Sequence, residues 1–148
     1  MILRFRNGLT GLIALVALAR AGHAQQPSDS AAIDQAASAA VTWLELIDNG
    51  TYESSWEQAA PAFQQAVSKP DWVRSVAQAR TPFEPFGTRR LARAEFQETL
   101  PNAPPGPYVI LQYRTSVSQD RTVMETVVPM RQADGRWLVA GYFVRPEN

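Results

Sequence analysis

Apolar residues change their spacing once along this chain, near residue 80, and the change divides it into a helical part and a stranded part. From Ser30 onward, Ile33, Ala37, Ala40, Leu44 and Ile47 recur every three or four positions, the repeat that lines up one face of a helix. Gly50, just past Asn49, supplies a stop, because glycine takes the left-handed backbone that ends helices. A second stripe runs through Tyr52, Trp56, Ala59, Phe63 and Val67; Pro61 interrupts it and predicts a kink or two short helices there. Ser68 then caps a third helix, with Pro70 in its first turn and Asp71 as the acidic partner of a capping box. Trp72, Val76 and Ala79 give that helix its inner face. Beyond Thr81-Pro82-Phe83-Glu84-Pro85-Phe86-Gly87 the apolar positions alternate, which predicts strands over 89–98, 108–117, 122–130 and 136–144. Asp134-Gly135 is a hairpin turn signal, and the four prolines of 101–107 stiffen the first connection. About three helices followed by four strands predict an α+β domain with helices on one face of an antiparallel sheet.

The first 24 residues carry a different pattern. Arg4 and Arg6 precede a short apolar run over 9–19, and Gly22-His23-Ala24 offers small residues at the positions a signal peptidase inspects. A run of about 11 residues ended by Arg20 is well short of the ~20 needed to span a membrane. The expectation is a secretory signal over 1–24, cleaved near Ala24, with 25–148 forming one α+β domain in the periplasm or outside the cell, without a transmembrane segment. No cysteine follows the run to carry a lipid anchor.

Composition then narrows the chemistry. His23, the only histidine, falls in the leader, and cysteine is absent. This excludes a Ser-His-Asp triad, a Cys-His pair and a zinc site of the usual ligands. No cofactor or metal is expected. Removing Arg4, Arg6 and Arg20 leaves 14 − 3 = 11 basic groups against 14 acidic ones. A mildly acidic chain with scattered arginines is not expected to bind nucleic acid. Lys69, the only lysine, starts a helix with nothing to lower its pKa, and Glu53 and Glu57 have no further ligands beside them.

Several segments together resemble the bacterial family called domain of unknown function 4019. They are Trp43-Leu44, Asp48-Asn49-Gly50-Thr51-Tyr52, Ser55-Trp56, Arg80 with Pro82 and Gly87, Leu100-Pro101 through Tyr108, Glu125-Thr126, and Trp137-Leu138-Val139-Ala140-Gly141-Tyr142. The resemblance runs over about 36–144. It implies the layout of the nuclear transport factor 2-like superfamily, three helices wrapped on a curved four-stranded antiparallel sheet, and it implies no assigned activity. Phe83-Glu84-Pro85-Phe86 after Arg80 departs from the family pattern and would reshape the mouth of a pocket.

A four-residue loop over 118–121 would place Val117 opposite Thr122 and sort the strands onto two faces. One face would carry Val109, Leu111, Tyr113, Thr115 and Val117 beside Met130, Val128, Thr126, Met124 and Thr122, continuing into Trp137, Val139 and Phe143. Under the helices, Tyr113, Thr115 and Thr126, with Arg80 and Trp56, become the candidate pocket lining, unless each hydroxyl bonds nearby backbone in a filled core. The other face would set Arg114 opposite Glu125 as a solvent-facing ion pair, and would offer Leu138, Tyr142 and Val144 to a homodimer. A one-residue slip would turn that pair inward, where a carboxylate could act as a base. No catalytic residue is assigned. The favoured function is a non-enzymatic envelope protein that binds a small apolar ligand or a protein partner. The alternatives are an enzyme using carboxylate, tyrosine and arginine, as some members of the superfamily do, with Glu125, Asp48 or Glu57 as its carboxylate, or a purely structural homodimer.

Overall fold

The computed structural model describes residues 27–147; the secretory signal expected over 1–24, with His23 and Ala24, lies outside the described residues. Four helices come first: α1 (Pro27–Asp48), α2 (Tyr52–Glu57), α3 (Pro61–Ala66) and α4 (Lys69–Arg80). Four strands follow: β1 (Arg89–Gln97), β2 (Tyr108–Val117), β3 (Arg121–Arg131) and β4 (Trp137–Pro146), forming one antiparallel sheet in the order β1-β2-β3-β4. Pro61 splits the second stripe into two helices, so the described residues hold four α-helices rather than three.

Ala36, Ala40, Trp43, Leu44 and Ile47 form the buried stripe of α1. The helix ends in paired hydrogen bonds, Gly50 N–H to the Ile47 carbonyl and Thr51 N–H to that of Leu46, with Gly50 at φ +71°. This is the Schellman arrangement, and it needs a residue that tolerates left-handed backbone. The Ser68 hydroxyl caps α4 by accepting from the Asp71 N–H. Between helices and sheet lies an aromatic cluster. Trp43 sits 6.0 Å from Trp72 and 5.6 Å from Tyr142, and Phe63 meets Trp72 edge-on at 4.9 Å. Ser55, fully buried, receives both indoles: Trp43 Nε1 donates to its carbonyl and Trp72 Nε1 to its hydroxyl.

The β2–β3 register differs by one residue from the expected one. The connection is a three-residue turn, Ser118–Asp120, in which Gln119 and Asp120 both have positive φ, so Val117 opposes Arg121 and Tyr113 opposes Glu125. Since side chains alternate, the slip exchanges the two faces of β3. Val123, Glu125, Val127 and Pro129 point to the helices, whereas Thr122, Thr126, Val128 and Met130 lie on the other face with Met124. The Arg114–Glu125 pair therefore does not form. Thr126, half-buried on the outer face, lines nothing beneath the helices.

A second irregularity reverses the end of β4. Pro129 has no N–H for the ladder, and the register jumps there from Val128↔Gly141 to Pro129↔Val139, leaving Ala140 as the extra residue of a bulge. Trp137 and Val139 keep their expected inward direction, but beyond the bulge Tyr142 and Val144 turn in, and Phe143, 63% exposed, turns out. Of the three residues expected on a dimer face, Leu138 alone remains outside; the bulge removes Tyr142 and Val144 from it.

Candidate functional site

The helical stripes of α1 and α4 each end in a charged residue. Asp48 follows Leu44 by one helical repeat, and Arg80 follows Trp72 and Val76, with all three α4 residues buried. Both charges are thus delivered to the inner face of the sheet where β1 begins. Arg89, on β1, opposes Thr115 of β2 and reaches the same place. The register slip supplies the fourth charge, Glu125, which is fully buried.

These groups close into one network. Glu125 Oε1 accepts from the Tyr142 hydroxyl at 2.6 Å, from Arg89 Nη2 at 3.1 Å and from Arg80 Nη1 at 3.2 Å. Its Oε2 accepts from Thr115 Oγ1 at 2.5 Å and from Arg89 Nε at 2.6 Å. Asp48 ties the two guanidiniums together, taking Arg80 Nη2 on Oδ1 at 2.8 Å and Arg89 Nη1 on Oδ2 at 2.8 Å. Arg80 Nη1 also donates to the Tyr142 oxygen at 2.7 Å, and the Phe86 ring covers its guanidinium, 3.6 Å from Cζ. Two cations meet two anions, so the charges balance, with Arg80 and Glu125 buried, Arg89 partly buried and Asp48 at the exposed rim.

Burial works against the charge of Asp48, but Arg89 and Arg80 outweigh it and hold the carboxyl below its ordinary value. Burial likewise opposes the charge on Arg80 and Arg89, yet Tyr142, Glu125 and Asp48 raise the pKa of Arg80, and Asp48 and Glu125 that of Arg89. Burial, and then the charge of Glu125, push the Tyr142 phenol well above its usual range. Five donors converge on Glu125, whose two oxygens offer about four lone pairs. No acceptor position remains for a substrate proton, and Tyr142 already spends its own proton on Glu125. The arrangement locks an interior; it does not present a poised base. Asp48 and Glu125 are both committed to arginines, which leaves neither for a metal ion.

Arg80 and Thr115, expected in a pocket lining, stand in this network. Tyr113 shares its face, but its buried hydroxyl has no hydrogen-bond partner among the described residues. Trp56 lies apart, half-buried, donating to the Val67 carbonyl at 2.8 Å beneath Lys69, which pairs with Glu57. Arg114 stays outside and bonds Glu147 at 2.6 Å. Nothing in the spacing of the sequence marks Arg89 or Phe86 as a site residue, and Asp48 is one of several candidate carboxylates. For Asp48 and Arg80 a signal exists: each occupies the next position of a buried apolar stripe. A shallow hollow lined by Asp48, Asn49, Gly50, Arg80, Glu84 and Phe86 opens over the network.

Comparison with known proteins agrees on the fold. The profile of the family described as protein of unknown function (DUF4019) matches residues 39–142. Two solved structures share the architecture. One, from Catenulispora acidiphila, is 18% identical with a TM-score of 0.52, over 80% of this chain and 94% of that one. The other, from Streptomyces avermitilis, is described as a "putative dehydratase" of the NTF2-like family; it is 16% identical with a TM-score of 0.52, over 80% of this chain and 98% of its own. No functionally curated protein matches.

Proposed function

The chain belongs to the DUF4019 family of proteins of unknown function, with an NTF2-like α+β fold, and from its own residues we propose a non-enzymatic, exported binding protein that holds a protein partner on the outer face of its sheet. The observation that carries this reading is the saturation of Glu125. Every acceptor of this carboxylate, the one buried strand carboxylate among the described residues, is engaged by Arg80, Arg89, Thr115 and Tyr142. The space beneath the helices, where folds of this shape can hold a small molecule, is taken by Trp43, Trp72, Phe63 and Tyr142. With the inner face committed to stability, binding falls to the outer face, where Phe143, Leu138 and several arginines stand. Export rests on the leader pattern over 1–24.

Native mass spectrometry of the protein taken from the periplasm of a bacterial host expressing the full chain tests the reading. The expected spectrum is a bare chain beginning at Gln25. A retained small molecule, lost on gentle activation, would refute an interior closed to ligands, and a mass including residues 1–24 would refute export with cleavage.

A second reading has one observation behind it: a carboxylate, a tyrosine and two arginines converge, and a structural neighbour is described as a "putative dehydratase". Proton transfer would require Arg89 and Asp48 to swing away from Glu125. Chemical-shift changes at Glu125 and Tyr142 on titrating small carbonyl and hydroxy compounds would support it; none are expected.

A further inference from the structure

The outer face of the sheet carries an arrangement of charge that the fold itself does not use. Arg90 on β1 stands directly opposite Arg114 on β2; Arg114 opposes Met124 on β3, and Met124 opposes Arg145 on β4. Three arginines therefore share one row across four strands. Strands lie about 4.8 Å apart, so Arg90 and Arg114 are immediate neighbours and Arg145 stands about 10 Å beyond Arg114. Like charges set directly opposite each other destabilise a sheet. Among the described residues a single carboxylate relieves the row: Glu147, bonded to Arg114 Nε at 2.6 Å. Arg90 and Arg145 are exposed and have no carboxylate partner among the described residues. Beside the row, the hydroxyls of Thr88, Ser116 and Thr122 line a hollow together with Arg90, Arg114 and Glu147.

Glu147 also shows how an acid can arrive there. Its backbone N–H donates to the Thr122 carbonyl at 3.0 Å while its carboxylate takes Arg114. An extended segment, held by main-chain hydrogen bonding, thus lands its acidic side chain in the row. The same chemistry fits a second extended segment bearing acids for Arg90 and Arg145.

We propose that the Arg90–Arg114–Arg145 row, with the hydroxyls beside it, is the docking site for an acidic extended segment of a partner protein. The inference rests on the outer-face reading above and names the chemistry of the partner. Glu147 occupies the middle of the site as an internal competitor for Arg114. Charge complementarity of this kind sets association rate and specificity, and weakens with salt.

Fluorescence anisotropy with a labelled octaglutamate peptide tests this on the purified protein. Binding is expected at low ionic strength and should weaken at least about tenfold in the double variant Arg90→Glu, Arg145→Glu, equivalent to about 1.4 kcal/mol. Glu147→Gln should tighten binding severalfold by freeing Arg114. The exposed Arg136→Glu, away from the row, should leave it unchanged. Thermal melts establish that each variant is folded, and Arg90→Gln with Arg145→Gln replaces the double variant should it not fold. Absence of peptide binding overturns the proposal. Binding only to phosphatidylglycerol vesicles, lost in the double variant, would overturn the acidic protein partner while keeping the outer face as the binding surface. Peptide binding indifferent to Arg90 and Arg145 would overturn both.

Discussion

Arg89 grips Glu125 with two hydrogen bonds, Nε to Oε2 at 2.6 Å and Nη2 to Oε1 at 3.1 Å, in a fork aimed from β1 across β2 to β3. The two-pronged geometry suits a planar guanidinium and no other side chain. It fastens the edge strand to the centre of the sheet through side chains as well as through the ladder, and Asp48 extends the same fastening to α1.

Removing the anion should therefore be costly. Glu125→Gln leaves Arg80 and Arg89 facing one carboxylate in a largely dry interior, and breaking a buried pair on one side typically costs about 3–5 kcal/mol. Thermal denaturation should show a midpoint lower by about ten degrees or more. A change of about two degrees or less would mean that the network does not lock the fold.

Acid should loosen the other end of the network. Asp48 is held below its ordinary value of 3.8, so in the folded state it keeps its charge where the unfolded chain takes up a proton. Its contribution is present above pH 3.8 and is lost as pH falls through the depressed folded value. Urea midpoints of the native protein and Asp48→Asn should differ most near neutrality and converge below that range. A difference independent of pH would contradict the charge assignment.

Ser55→Ala tests the helical side of the core. The change removes the hydroxyl that accepts from Trp72 Nε1 at 3.0 Å and leaves a buried indole N–H without a partner. Loss of a partner in such a setting costs about 1–3 kcal/mol. Chemical denaturation followed by tryptophan fluorescence should report that loss; an unchanged midpoint would place a water or another acceptor at Trp72.

The turn between β2 and β3 should accept glycine. Gln119 sits at φ +60°, where a residue with a Cβ pays a steric cost that glycine avoids. Gln119→Gly should raise stability by a few tenths to about 1 kcal/mol, measured by equilibrium unfolding, since glycine's extra freedom in the unfolded chain offsets part of the relief. A loss of stability would show the Gln119 side chain to be making contacts that outweigh the strain.

Helix and strand spacing made the element order readable, and the alternation in β2 assigned its faces without ambiguity. In β3 the pattern could not decide. One face offers Val123, Val127 and Pro129 around Glu125, and the other offers Met124, Val128 and Met130 between threonines. Both look half-apolar, so the register hung on a turn whose two left-handed residues are not glycine. That turn placed Glu125 inside and with it the whole network. Arg80 and Asp48 were legible as charges on apolar stripes, whereas Arg89 became visible only once β1 was paired with β2. In β4, Pro129 of the neighbouring strand was the available clue that the ladder would break.

The extra residue at Ala140 determines which of two adjacent aromatic side chains belongs to the interior. Were Ala140 paired in a regular ladder instead of bulged, alternation from Val139 would send Phe143 toward the arginines, an apolar ring with nothing to offer Glu125 or Arg80, and would set the Tyr142 phenol in solvent. Regular pairing of Ala140 would thus act as an exchange of identities between neighbours, converting a balanced set of charges into one short of a donor and coating the opposite surface with a different aromatic. The bulge therefore absorbs the one residue by which β4 exceeds its partner: deleting Ala140 would leave Val139, Gly141 and Tyr142 in unbroken alternation opposite Pro129, Val128 and Val127, with the phenol still inside.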